Sequence, residues 1–367
     1  MNEGRRIVGI DVGGANLKLA LWREAYAPTC ISHTFPLWKH PDQLGEAVRS
    51  LIERLGSPAS SLDQLAVTMT GELADCFATR REGVQHILAQ LIDVVPVQRM
   101  GVYAVGGDWL SVAQAVADPW RVAASNWHAL ASWITRWPTT AGQCQHALMI
   151  DIGSTTVDIV PLRGGICASE ARTDRERLER RQLIYTGLAR TPVCAIVSSL
   201  SLDDRPIPVM AEFFATSDDA YLSLGLVEED ADDTATADNR PRTAHCARAR
   251  LARMIGEDTE SINSAQINQL AEQVIAAQAR TVAAAIAWNL AAPLESRHQG
   301  SADHPTLVFT GHGRPLLERA VALLPSRPTM VALDSLLPPL ASRCASAVAV
   351  AWLCAAAGEP ITGNVPK

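Results

Sequence analysis

An acidic glycine corner occurs twice in this 367-residue chain, its first carboxylate at Asp11 and its second at Asp151, each time between two short apolar runs. The first block is Arg6-Ile-Val-Gly-Ile10, the corner Asp11-Val12-Gly13-Gly14-Ala15-Asn16, and Leu17-Lys18-Leu19-Ala20-Leu21-Trp22. The second is Ala147-Leu-Met-Ile150, Asp151-Ile152-Gly153-Ser154-Thr155-Thr156, and Val157-Asp158-Ile159-Val160-Pro161-Leu162. An apolar run, a glycine tip and a second apolar run predict a β-hairpin. A hairpin repeated at about a domain's spacing predicts an internal duplication, as does a length near two domains.

The elements after the first corner read as mixed α/β. A strand is expected at Ile31 to Leu37, an amphipathic helix at Gln43 to Leu55 capped by Asp42, and a buried strand at Leu65 to Thr70. After the second corner, the polar Arg- and Asp-rich stretch at about 168–258 reads as an inserted subdomain with mobile loops. Then come a long helix at Ile262 to Leu290, a strand Thr306 to Thr310 closing at Gly311-His312-Gly313, and an apolar helix at Cys344 to Ala357. The domains are expected at 1–145 and 146–367.

Composition excludes several classes. Net charge is −7 with no block of consecutive Lys or Arg that could track a phosphate backbone, so nucleic acid is not an expected partner. The stretch Ala345 to Ala357 falls short of the roughly 20 residues that cross a bilayer, and no signal segment opens the chain, so a soluble cytoplasmic protein is expected. Eight cysteines without a Cys-x-x-Cys pair read as buried, reduced and structural.

A carboxylate beside small residues at a hairpin tip lets backbone N–H groups approach a phosphate while the carboxylate reaches a hydrated divalent cation. The phosphate-binding candidates are Gly13, Gly14, Asn16 and Lys18, then Gly153, Ser154, Thr155 and Thr156, then Gly311 and Gly313. The alternative is an ordinary hairpin turn, with Lys18 covering a strand end.

These corners resemble those of the actin, sugar-kinase and Hsp70 superfamily. The third glycine element departs from it, since adjacent glycines are usual where His312-Gly313 stands. A closer resemblance runs over nearly the whole chain, to the hydantoinase-like family of tetrahydromethanopterin-linked one-carbon metabolism. It is carried by Ile10 to Lys18, Met69-Thr-Gly-Glu-Leu-Ala-Asp75, Ser125-Asn-Trp-His-Ala-Leu130, Asp151 to Thr156, Tyr185-Thr-Gly187, Arg190-Thr-Pro192, and Thr236-Ala-Asp-Asn-Arg-Pro-Arg-Thr243. Asn239 stands there where glycine is expected, and Asn tolerates the same left-handed turn.

The resemblance implies duplicated RNase H-like α/β domains with a cleft between them and an inserted subdomain. It also implies a transferase of methanofuran synthesis that displaces diphosphate from a furanylmethyl carbon with the oxygen of a phenolic amine, making an aryl ether. Small-molecule substrates and Mg2+ follow, with Asp11 and Asp151 on the metal side. A phenol with pKa near 10 calls for a base: Glu72 first, Asp174 in reserve. The structural alternative for Glu72 is a helix cap. Asn126, Trp127 and His128 would stack and orient an aromatic ring, or Trp127 packs in the core. Arg172, Arg175, Arg177, Arg180 and Arg181 would read substrate carboxylates, or form a solvated helix face. The alternative function is an ATP-dependent kinase or hydantoinase-like hydrolase using MgATP. A nucleotide-gated interaction protein is a third reading.

Overall fold

The computed structural model describes residues 5–142, 144–291 and 305–358. The first sheet contains β1 (Ile7–Val12), β2 (Asn16–Trp22), β3 (Thr29–Thr34), β4 (Gln64–Met69), β5 (Met100–Tyr103) and β6 (Trp109–Leu110), in the order β3-β2-β1-β4-β5-β6. β1 runs antiparallel to β2 and parallel to β4, and β4 runs parallel to β5. Every residue of β1 and β4 is buried, because helices cover the sheet on both faces. Leu44–Arg54 and Arg80–Ile92 share one core with Val8, Ile10, Leu65 and Val67.

The helix Ala345–Ala356 lies directly on β1, β2 and β4. Gly9 permits this approach, since a Cβ there would run into the Ala347 carbonyl and the Ala351 backbone. Gly9→Ala is therefore expected to cost about 2 kcal/mol, as overpacking does, read as a lowered urea midpoint. An unchanged midpoint would show that the helix yields freely.

The second sheet contains β7 (His146–Ile152), β8 (Val157–Arg163), β9 (Ile166–Cys167), β10 (Leu183–Ile184), β13 (Thr306–Gly311) and β14 (Thr329–Ala332), ordered β10-β8-β7-β13-β14 with β9 also on β8. The intervening β11 (Ser199–Leu202) and β12 (Arg205–Pro208) form a separate ribbon. With β7 and β8 as counterparts of β1 and β2, and β13 and β14 as counterparts of β4 and β5, the two sheets share one strand order. The duplication inferred from the corners is thus present in topology.

The chain divides into two compact units, one of Met1–Met149, Val160–Arg180 and Val331–Lys367, the other of Ile150–Ile159 and Arg181–Met330. The boundary is not a single cut after residue 145. Two later segments return to the first unit, and the stretch 168–258 is divided at Arg180. Within that stretch Arg242 holds Asp218 through two hydrogen bonds of 2.7 Å, and Asp230 pairs with Arg242 along the backbone. Asn239 adopts φ +57°, the left-handed turn expected of it.

The long helix runs Ser264–Ala291 and has the length and apolar composition of a membrane span, with half of that window buried inside the protein. Asp42 does not cap the Leu44–Arg54 helix. It sits in the 3-10 turn Pro41–Gln43, and the cap residue Gln43 makes no side-chain cap hydrogen bond. All eight cysteines are free, four of them buried and four half-buried.

Candidate functional site

In the first unit the corner is closed by Gly13 N–H donating to Asn16 O at 3.0 Å. Leu37 N–H donates to Gly14 O, and Thr70 and Gly71 N–H both donate to Val12 O, each at 2.9 Å. The end of β4 is thereby fastened to the corner. A Cβ on Gly14 would meet nothing within 4 Å. Neither protein packing nor a positive φ demands glycine there, which leaves room for a ligand to approach the backbone. Asp11, only 3% exposed, accepts a hydrogen bond from Ser346 Oγ at 2.5 Å. Its ladder partner Lys18 places Nζ 4.0 Å from the same carboxylate.

Glu72 follows directly on that fastened strand end. It does not cap a helix, because the helix Arg80–Ile92 begins at Thr79, whose hydroxyl accepts from Glu82 N–H. Its backbone is clamped instead, since a Cβ on Gly83 would strike the Glu72 carbonyl. The side chain is 1% exposed, and Oε2 has no hydrogen-bond partner.

Burial pushes the Glu72 carboxyl up to about 7; the Arg80 charge opposes this and the Asp174 charge adds to it. The Ala124 backbone also hydrogen-bonds Glu72, and Ala124 is held at φ +48°, a conformation that costs a non-glycine residue energy and concentrates at functional sites. Asp174 accepts from Arg80 Nη2 at 2.8 Å and lies 3.6 Å from Arg177 Nη1. The two candidate bases, distant in sequence, thus belong to one charge cluster.

Asn126 is half-buried at the start of the helix Asn126–Arg136. Trp127 is 2% exposed, with the Arg177 guanidinium 4.5 Å over its ring. His128 Nδ1 lies 3.0 Å from the Tyr103 hydroxyl; burial, helped by Arg172 and Arg136, lowers its pKa to about 4. Trp127 therefore has no open stacking face, and His128 is neutral. The arginine cluster is not a uniform solvated face either: Arg177 is buried, Arg172 donates to Val105 O, and Arg181 covers Trp288. The exposed aromatic ring next to the Glu72 cluster is Trp120, with the Arg80 guanidinium 5.4 Å from its centroid. Sequence reasoning missed it. Its signal was a bulky aromatic between Pro119 and Arg121, in a turn rather than on a helix face.

The second unit repeats the corner bond for bond. Gly153 N–H donates to Thr156 O at 3.0 Å, and His312 and Gly313 N–H donate to Ile152 O at 3.1 and 3.2 Å. The Gly311-His312-Gly313 element is thus the duplicate of the Thr70-Gly71 strand end, and Arg314 stands where the first unit has Glu72. Gly311 is required at φ +87°, beside Asp151 Oδ1. Ala189 and Arg190 N–H donate to Ser154 O at 3.0 and 2.9 Å. Asp151, Gly153, Ser154, Thr155 and Thr156 are all half-buried. A carboxylate with hydroxyl groups is the hard oxygen set that Mg2+ takes while keeping its waters, so this corner fits that ion. No group of three His, Cys, Asp or Glu that could hold a metal occurs among the described residues.

The family model for hydantoinase/oxoprolinase matches residues 63–355. A protein of Methanocaldococcus jannaschii named (4-{4-[2-(gamma-L-glutamylamino)ethyl]phenoxymethyl}furan-2-yl)methanamine synthase is 30% identical over 272 residues, covering 73% of this chain and 77% of that protein. A protein of the same name from Methanococcus vannielii is 31% identical over 120 residues, covering 33% of this chain and 54% of its own. The nucleotide-free structure of an acetone carboxylase superposes with a TM-score of 0.55 at 10% identity, over 95% of this chain and 70% of that one. The doubled strand order and this likeness are those of the actin, sugar-kinase and Hsp70 fold.

Proposed function

Since the chain belongs to the hydantoinase/oxoprolinase family, we propose that it is a transferase joining the oxygen of a phenolic amine to a furanylmethyl carbon, with diphosphate as the leaving group. The relative's name describes an aryl ether of that kind. The observation that carries the chemistry is Glu72, a buried carboxyl lifted to about 7. That value narrows the gap to a phenol near 10 while leaving the group substantially ionised at neutral pH.

In the proposed step the phenol O–H proton passes to Glu72, the phenol oxygen bonds to the methylene carbon, and the carbon–oxygen bond to diphosphate breaks, its electron pair leaving with diphosphate. Arg80 favours the developing phenolate. Gly13, Gly14, Asn16 and Lys18 would receive phosphate oxygens, and Asp11, enclosed by Ser346 and Lys18, would hold the Lys18 ammonium rather than an outer metal ligand. Asp151 with Ser154, Thr155 and Thr156 would hold Mg2+, which when bound neutralises phosphate charge.

The test is incubation with aminomethylfuran diphosphate, Mg2+ and tyramine, γ-glutamyltyramine or tyrosine, following ether mass and released diphosphate, with ATP hydrolysis measured in parallel. Ether formed without ATP is expected. ATP turnover with no ether would establish a kinase-like reaction instead. Asp151→Asn is expected to lower activity by about 10²-fold, as loss of one charge-stabilising group does, at an unchanged melting temperature. Full activity would remove Asp151 from the site.

A further inference from the structure

We propose that Trp120 is the platform on which the phenol ring of the acceptor stacks, an inference that rests on the transferase reading above. Three observations converge. Trp120 is 55% exposed, so part of its ring is open to a second flat ring. It lies in the turn Pro119–Arg121, which packs against the helix beginning at Arg80. Its ring is met by Arg80, which also binds Asp174 at 2.8 Å and acts on the buried Glu72. One guanidinium therefore touches both the aromatic surface and the carboxyl cluster.

The chemistry suits a phenol in particular. A flat ring on the indole gains offset-stacking energy. The neighbouring guanidinium favours negative charge on an oxygen carried by that ring. Trp127, the residue singled out from sequence, is enclosed and already covered by Arg177. Trp288 supplies a built-in control: it is also an exposed tryptophan under an arginine, but its partner is Arg181, outside the Glu72 cluster.

Tyramine binding is measured by calorimetry on the full chain for the parent, Trp120→Ala, Trp120→Phe and Trp288→Ala. Trp120→Ala is expected to weaken binding about tenfold, the upper range of an aromatic pair. Trp120→Phe should recover most of the affinity, and Trp288→Ala should match the parent. In turnover assays the Trp120→Ala loss should appear in KM for the phenol, with KM for the furan diphosphate unchanged. Equal tyramine affinity for Trp120→Ala and the parent would overturn the proposal, as would a parent that does not bind tyramine. A parent that binds tyramine through Trp120 yet forms no ether would sink the transferase reading alone.

Discussion

Glu72→Gln is expected to lower kcat by about 10³-fold, within the range for loss of a positioned base, while the protein stays folded and gains stability at alkaline pH. Glu72 is 1% exposed and its Oε2 has no hydrogen-bond partner, so the amide replaces it without removing a hydrogen bond from that oxygen. In the parent, kcat/KM should rise through pH about 7 as Glu72 loses its proton, and in the variant this acid limb should vanish. Changes at its neighbours should move the limb in opposite directions. Arg80→Met removes a charge that lowers the Glu72 pKa and shifts the limb up, whereas Asp174→Asn removes one that raises it and shifts the limb down. A purely structural role for the cluster would give equal losses with no displacement.

The stability effect has a definite sign. The folded-state pKa of about 7 lies above the ordinary 4.5, so the folded protein holds this proton more tightly than the unfolded chain. The contribution from Glu72 is fully present below pH 4.5 and is lost as pH rises to 7. Above both values, keeping the ionised group buried costs roughly 3 kcal/mol. Urea midpoints of parent and Glu72→Gln should therefore coincide near pH 4 and separate by pH 8, with the variant the more stable. A variant less stable at pH 8 would mean that the carboxylate is compensated in the native state.

The corners were legible because an aspartate, a glycine and flanking apolar runs are local signals. Their mutual repetition also exposed the duplication. Strand ends were less so: the strand expected at Ile31 to Leu37 runs Thr29–Thr34, because pairing with β2 rather than side-chain pattern sets its limits. Glu72 and Asp174 were named as alternatives; that they share Arg80 depends on a chain path that no spacing reveals. The same holds for Gly313, whose equivalence to Gly71 appears only when both N–H groups are seen on the carbonyl that follows each aspartate. Arg177, one of five arginines expected either to read substrate carboxylates or to form a solvated face, is buried, and so is Arg250. Arginine's burial is decided by distant partners.

Arg250→Met should destabilise the protein by about 4 kcal/mol at pH 7, the scale for removing one partner of a buried ion pair. The Arg250 side chain is 0% exposed; its Nε and Nη2 each lie 2.7 Å from Asp219 Oδ1, and Nη1 lies 3.0 Å from Asp238 Oδ1. Without it Asp219 remains enclosed, and burial already lifts that carboxyl to about 6 against the opposing arginine. Loss of the arginine raises it further above the unfolded value, so the deficit should be smaller at pH 5 than at pH 8. Adding Asp219→Leu should restore most of the loss, because the lone charge is gone and Asp238 keeps Arg253 at 3.2 Å. A double variant as unstable as the single one would place the cost in packing instead. The consequence extends beyond stability. Asp219 belongs to the helix Ser217–Ser223, where Ser217 N–H donates to Thr191 O and Asp218 N–H to Ala189 O. The 189–191 segment in turn closes over Ser154. Loosening that helix at subdenaturing temperature should therefore weaken inorganic diphosphate binding at the Asp151 corner, and the double variant should recover it in step with stability.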